Sequence, residues 1–467
     1  MIMPMTRSQA IHLAQAQFDS GAFRQTLARR IAIPTESQNP QRGAVLVNYL
    51  EAEMRPAFEA MGFSCELLTH SKGKSPFLFA QRLEDASLPT VFGYGHGDVI
   101  RGLEAEWKDG LSPWQLTEQD GRWYGRGIAD NKGQHSVNMQ ALANVINTRG
   151  KLGFNAKYLI EMGEEVVSPG LHELCEEHKA LFKADVMIAS DGPRLSAGRP
   201  TVFLGSRGCI NFDLTIEARK GGHHSGNWGG LISNPGIQLA HAIASIVSPT
   251  GKIQIPAWVP QALPASVRRA LADCEVDGGL DGPTVEPEWG EPGLSPAERV
   301  FGWCSFEVLA FKTGNPDTPV NAIPPRAWAR CQLRFVVGIN PDDILPALRR
   351  HLDAKAFAMV KIEAVREEVF QATRIDPDEP WVQWAVASIA KTSGKKPAVL
   401  PNLGGSLPNH IFTDTLGLKT VWVPHSYAGC SQHAPNEHLP PELLREALAI
   451  MTGLYWDLGE LGTPDRG

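Results

Sequence analysis

The chain has 467 residues, longer than one hydrophobic core ordinarily serves, so two domains or one domain with a large insertion are expected. With 43% hydrophobic and 20% charged residues it has the composition of a folded globular protein, and a formal charge of -7 without any basic run argues against nucleic acid as a partner. The seven cysteines are odd in number, scattered and free of a CxxC pair, which favours reduced, mostly buried thiols over a disulfide or a thiolate metal site.

In chain order, the first 23 residues, MIMPMTRSQAIHLAQAQFDSGAF, read as an amphipathic helix. They lack the continuous apolar stretch of a signal peptide or membrane span, so cytoplasm is the default and no membrane is expected. TVFGYG at 90–95 is a buried strand. DNKGQHSVNMQALANVIN, with Val137, Leu142, Val145 and Ile146 at helical spacing, is a helix, and KYLIEM, a further helix and ADVMIAS follow. That alternation predicts βαβ units and a mostly parallel sheet. From Gly208 the texture changes to strand-like alternation (CINFDLTIEA), a long helix-like segment, a loop rich in Gly, Pro and acids between Glu275 and Arg299, and further strands (WARCQLRFVVG). Residues 208–370 therefore read as an inserted α+β domain, with the acidic loop a solvated connection. The α/β pattern resumes at Glu379 and ends with the apolar run LKTVWVPH.

Acids and histidines fall at the ends of these runs. His96 and Asp98 follow TVFGY, Asp130 opens a helix after GRGIA, Glu164 and Glu165 follow YLIEM, Asp191 follows VMIAS, and His433 lies in the loop after TVWV. In open α/β sheets the carboxyl ends of the strands converge on one crevice, so residues far apart in sequence can meet there. Each alone has an ordinary explanation, Asp130 for example as an N-cap. Gathered together, the carboxylates would repel and raise one another's pKa unless a cation neutralised them. Two imidazoles with three carboxylates suit zinc, or the harder manganese and cobalt, in an open catalytic site. One carboxylate shared between two ions leaves room for water on each, and of the adjacent acids Glu164 and Glu165 one can ligate while the other serves as base. Asp98 is placed to hold the other ring nitrogen of a metal-bound His96, and the flanking glycines permit the turn.

GHGDV, GRGIADNKG, EMGEEVVSPGL and CSQHAPNEHL, in this order, resemble the motifs of the dinuclear zinc metallopeptidases that include carnosinases, cytosolic non-specific dipeptidases, glutamate carboxypeptidases, aminoacylases and succinyl-diaminopimelate desuccinylase. The likeness runs over nearly the whole chain. It implies that His96 and Asp191 bind one metal, that Glu165 and His433 bind the other, and that Asp130 bridges them. It also implies Glu164 as general base, Asp98 as the clamp on His96, and a cis peptide at Asp130-Asn131. GGHHSGNWGG is similar to the carnosinase-type HSG motif and implies that His224 polarises the substrate carbonyl from across a dimer interface. Gly222 and His223 depart from the family's usual Asp and apolar residue, so a register in which His223 contributes stays open. TPVNAIPPRAWARCQLRF resembles the segment that supplies a substrate-contacting residue and an arginine, here Asn321 and Arg334, and an arginine's fork suits a carboxylate. GGSLP lacks the Lys-Ser/Thr of a phosphate loop. By resemblance, its Gly405 and Ser406 bind the substrate's C-terminal carboxylate.

The expectation is a zinc-peptidase-like catalytic α/β domain of residues 1–207 and 371–467 with a mostly parallel central sheet, carrying a 208–370 lid that forms a homodimer. Two divalent ions per subunit would serve hydrolysis of an amide bond in a dipeptide or N-acyl amino acid with a free carboxylate. Asp191 tilts the choice toward dipeptides, because the acylase and carboxypeptidase branches often carry Glu there. One alternative is a non-peptide amide or aryl-amine hydrolase, for which the acidic loop and Trp228 could set specificity. Another is a catalytically silent binding protein, against which the complete set of ligands and base stands.

Overall fold

The computed structural model describes residues 6–73, 75–279, 282–365 and 369–461. Twelve strands build the two main sheets: β1 (Ser64–Leu68), β2 (Phe77–Arg82), β3 (Thr90–His96), β4 (Asn155–Glu161), β5 (Val186–Ala189), β6 (Thr201–Phe203), β7 (Gly208–Glu217), β8 (Ser305–Thr313), β9 (Arg326–Phe335), β10 (Lys361–Ala364), β11 (Ala398–Leu400) and β12 (Lys419–Trp422). The larger sheet has eight strands in the order β1-β2-β4-β3-β5-β12-β6-β11. Its centre is parallel: β3 pairs in parallel with β4 and β5, and β12 with β5. Strand β2 runs against both its neighbours, while β6 and β11 are parallel to each other and meet β12 head-on at Phe203 and Trp422.

The central strands are unbroken apolar runs because both faces of the sheet are covered. Successive side chains alternate between two cores. Phe77, Phe79, Phe92 and Tyr94 join Leu171, Leu174 and Phe182 on one face. Leu78, Ala80 and Val91 face the helices Lys132–Arg149 and Pro441–Leu458 on the other, through Val137, Leu142, Leu444, Leu448 and Met451. Full burial of each large side chain contributes about 1.5–3 kcal/mol. The N-terminal helix Arg7–Asp19 buries Ala10 and Ala14 in this second core. The first of those helices lies so close to β3 that a Cβ on Gly95 would stand 2.7 Å from His135 Cβ, which accounts for a glycine one residue before His96.

Strands β8-β9-β7-β10 form the second sheet, entirely antiparallel. Ile210, Phe212, Leu214 and Ile216 of β7 and Ala327, Ala329, Cys331 and Leu333 of β9 point into a third core, closed by the helices Pro235–Ile246 and Ile344–Ala354. The alternate residues, among them Asn211, Gln332 and Arg334, face the other way. At the sheet's edge, β8 exposes Val308, Leu309 and Phe311.

In the segment read as a solvated connection the described residues are exposed or half-buried except Ala297 and Glu298. Its flanks are anchored: Leu263, Val267, Leu271 and Cys274 before it and Trp303 after it pack, with Ala297, into the core on the Phe92 face of the larger sheet. Val276, Gly278, Gly279, Val300 and Phe301 help to wall a cavity of about 610 Å³ together with Leu195, Leu403, Gly405 and Tyr427. Among the described residues, no helix is long and apolar enough to cross a membrane.

Candidate active site

The carboxyl ends of β3, β4, β5 and β12 open on one crevice. His96 is the last residue of β3 and sits opposite Glu161, the last of β4. Glu164 and Glu165 follow in a short helical turn, Asp191 lies just beyond β5, Asp130 precedes the helix Lys132–Arg149, and His433 comes from the loop after β12. His96 Nε2 lies 3.0 Å from Asp130 Oδ1 and 3.6 Å from Asp191 Oδ2. His433 Nε2 lies 2.9 Å from Asp130 Oδ2 and 3.1 Å from Glu165 Oε2. The donor atoms of each trio, His96/Asp130/Asp191 and Asp130/Glu165/His433, are within 4.8 Å of one another, and Asp130 belongs to both.

Several contacts hold this arrangement. Asp98, fully buried, places Oδ1 3.4 Å from His96 Nδ1, and its carboxylate accepts the backbone N–H groups of Glu164 at 3.2 Å and Glu165 at 3.1 Å. The Asp130-Asn131 peptide is cis, and Asn131 Nδ2 donates to Ser190 O at 2.8 Å. The loop bearing His433 turns through left-handed backbone at Ser431, His433 and Asn436, φ 58–63°, conformations that cost of order 1 kcal/mol or more for residues other than glycine. Glu437, not singled out from the sequence, is buried beneath Asp130. Its carboxylate accepts from the N–H groups of Gly127, Ala129 and Asp130 at 2.8–3.1 Å and from Arg126 Nη1 at 2.9 Å. Its signal was an acid four residues after His433 within CSQHAPNEHL.

The electrostatics of the cluster call for positive charge. Burial pushes the Glu164 carboxyl well above its usual range, and Glu165, Asp191 and Asp130 push it further against the pull of His96. Burial and Asp130 raise Glu165 to about 7. The carboxylates of Asp130 and Glu165 raise His433 to about 11. For His96, burial alone would depress the imidazole, but Asp130, Asp191 and Asp98 outweigh it and the net shift is upward. Asp191 Oδ2 is buried without a hydrogen-bond partner among the described residues. Protons held on crowded carboxylates and histidines, and an orphaned carboxylate oxygen, are what a divalent cation would replace and satisfy. The all-nitrogen-and-oxygen donor set fits zinc, manganese or cobalt.

Three of the residues expected to hold substrate also meet. Arg334 Nη1 donates to Ser406 Oγ at 3.1 Å, beside Gly405 on the wall of the 610 Å³ cavity. His224 and Asn321 lie elsewhere, exposed on neighbouring segments of residues 208–370: Ser225 N donates to Asn321 O at 2.9 Å, and His224 Nδ1 accepts from Gly226 N. Among the described residues, no hydrogen bond or ion pair joins either of them to the carboxylate cluster. The His223 ring packs against Trp228 with centroids 5.9 Å apart.

Comparison with known proteins agrees with this geometry. A curated human protein, beta-Ala-His dipeptidase, is 34% identical over 400 residues, 83% of this chain and 78% of its own length. The cysteinylglycine-S-conjugate dipeptidase of Corynebacterium striatum is 28% identical over 330 residues, 68% of this chain and 70% of its own. Among solved structures, an M20 family metallo-carboxypeptidase from Sulfolobus solfataricus shares the fold with a TM-score of 0.78 at 24% identity, over 94% of this chain and 99% of that one. Residues 93–457 match the profile of peptidase family M20/M25/M40, and the chain belongs to that family.

Proposed function

We propose that this protein is a metal-dependent dipeptidase that uses two zinc ions per subunit to hydrolyse short peptides with a free C-terminal carboxylate. The observation that carries the reading is the pair of ligand trios sharing Asp130, with a buried, unligated carboxyl, Glu164, beside them. His96 and Asp191 would hold one ion, Glu165 and His433 the other, and Asp130 both. Bound there, the ions supply a water of lowered pKa and polarise the scissile carbonyl. Glu164 takes the proton from the attacking water and returns it to the leaving amine. Asp98 fixes both the ring of His96 and the turn that presents Glu164, so base and ligand share one support. Arg334, Ser406 and Gly405 hold the substrate carboxylate. The dipeptidase names of relatives that align with two thirds or more of the chain favour a dipeptide over an N-acyl amino acid.

Residues 208–370 act in this reading as the lid and dimerisation domain of a catalytic body made of 1–207 and 371–467. The partner subunit's His224 polarises the substrate carbonyl, with Asn321 beside it. Support comes from the apolar, unpaired edge of β8 and from Leu231 and Ile237, 75% and 59% exposed, since such an edge and patch need a partner. The enzyme works in the cytoplasm, where its free cysteines stay reduced.

The test is metal analysis together with a substrate panel. The purified protein should carry about two divalent ions per chain, and dipeptides should be cleaved faster than N-acetyl amino acids or aryl amides. Faster cleavage of acylated amino acids would replace the dipeptidase reading with an acylase, and a metal-free, inert protein would end both.

A further inference from the structure

Arg207 lies where the chain passes from the larger sheet into the lid, and it is 6% exposed. Its Nε donates to Gly404 O at 2.9 Å and its Nη1 to Ser305 Oγ at 3.1 Å, while its carbonyl accepts the Ser406 hydroxyl at 2.7 Å. The same Ser406 oxygen accepts from Arg334, whose Nε is spent on Gln332 Oε1 at 3.1 Å. Ser406 thus bridges the Arg207 carbonyl and the Arg334 guanidinium, while the Arg207 guanidinium sits between Gly404, two residues before Ser406, and Ser305, the cross-strand partner of Arg334. Among the described residues, neither guanidinium forms an ion pair.

That is anomalous within this protein. The other deeply buried arginines each meet an acid: Arg30 meets Glu53, Arg126 meets Glu437 and Arg194 meets Glu446. An unpaired buried cation is costly, and a second one beside it adds repulsion. Burial and the proximity of Arg334 lower Arg207 to about 10. Glu307, two residues beyond Ser305 on the same strand, feels Arg207 but does not reach ion-pair distance. A fold that keeps two cations together without an acid leaves a place for an anion that arrives from outside.

We propose that Arg207 is a second carboxylate-binding arginine: with Arg334 and Ser406 it forms a two-guanidinium seat for the free α-carboxylate of the substrate's leaving residue. This rests on the dipeptidase reading and adds a specificity-determining residue to it. A C-terminal carboxylate neutralises the pair, whereas a C-terminal amide leaves the buried Arg207 and the half-buried Arg334 unpaired, the kind of mismatch that discriminates far more strongly than a missing methylene. The seat joins Gly404 and Ser406 of the main body to Arg334 and Ser305 of the lid, so the anion ties the two together.

The experiment compares a dipeptide with its C-terminal amide in the metal-loaded protein, for the wild type, Arg207→Ala and Arg207→Lys. The wild type should prefer the carboxylate form. Arg207→Ala should raise KM for that form by about 10- to 100-fold, the worth of one charge-assisted hydrogen bond, with kcat nearly unchanged and with the amide little affected. Arg207→Lys keeps the cation without the fork, should fall between the two, and carries the test should the alanine variant not fold. A purely structural arginine would lower both substrates together and leave their ratio intact, so an unchanged ratio in the lysine variant overturns the inference. A wild type that cleaves neither form overturns the dipeptidase reading and this inference with it.

Discussion

At the scale of single residues, Glu164 and Asp130 separate the two halves of the chemistry. Glu164 makes no contact that a metal trio requires, so Glu164→Ala should keep its metal while turnover falls by at least about 10²- to 10⁴-fold, the usual contribution of a positioned acid/base. Asp130→Ala removes a ligand from both trios and should lose both ions; metal analysis of the two variants beside their turnover distinguishes the roles, and an active Glu164→Ala removes Glu164 as base. Their neighbours Glu165 and His433 shape the pH response of the ion-free protein. Glu165 is held near 7 by burial and Asp130, above an unfolded value of about 4.3, so ionising it in the folded chain becomes a growing penalty as pH rises through that interval. His433 is held near 11 by Asp130 and Glu165, above an unfolded value of about 6.5, so its stabilisation is complete below that and is lost as pH climbs. Both signs agree: the chelated protein should melt at a lower temperature at pH 9 than at pH 6. Metal displaces those protons and should remove the trend. A chelated protein that melts higher at pH 9 contradicts the assignment of either shift.

At the scale of elements, the site depends on turns that begin where strands end. Glu437 gathers the N–H groups of Gly127, Ala129 and Asp130 and the Arg126 guanidinium under Asp130, so Glu437→Ala would leave three backbone donors and a buried arginine unpaired, a loss of about 3–5 kcal/mol. A lowered melting temperature together with weakened metal binding is the expected outcome; a variant that melts lower but binds metal normally would show that Glu437 serves the fold alone. The contrast with His96 explains what the sequence could and could not show. His96, Asp98, Asp191 and the two adjacent glutamates follow apolar runs whose strand character is plain, and β topology then carries them to one crevice. Glu437 follows no such run, and Arg207, although it follows the apolar run TVFLG, is an unremarkable residue type there: their roles come from burial and from which backbone groups face them, quantities that depend on distant segments. The 275–299 stretch is exposed or half-buried over most of its described residues, as its acids and glycines suggest, while the apolar residues on either side of it, Leu271 and Cys274 before and Trp303 after, enter the Phe92-side core.

At the scale of the whole molecule, one subunit leaves its proposed substrate site unfinished. The ligand trios and Glu164 gather at the carboxyl ends of the strands, but His224 and Asn321 are exposed on the 208–370 segment with no hydrogen bond or ion pair to that cluster among the described residues. Residues 208–370 also present the features that a second copy would cover: the edge of β8 with Val308, Leu309 and Phe311, and the exposed Leu231, Ile237 and Val320. Long apolar edges left bare favour uncontrolled strand pairing, so a folded protein that keeps one generally closes it with a defined partner. A two-fold pairing of β8 with β8 is self-complementary and closed, and it would carry each lid toward the other subunit's crevice. The consequence is a trans-complementation test. His224→Ala and Glu164→Ala should each be inactive as homodimers, because one lacks the carbonyl-polarising group and the other the base. Mixed after dissociation and reassociation, half of the subunits should be heterodimers, each with one crevice that combines an intact Glu164 with an intact partner His224, and about a quarter of wild-type activity should return by that binomial count. Heterodimers that form, as shown by differently tagged chains co-purifying, and remain inactive would mean that His224 acts within its own subunit or outside the reaction altogether.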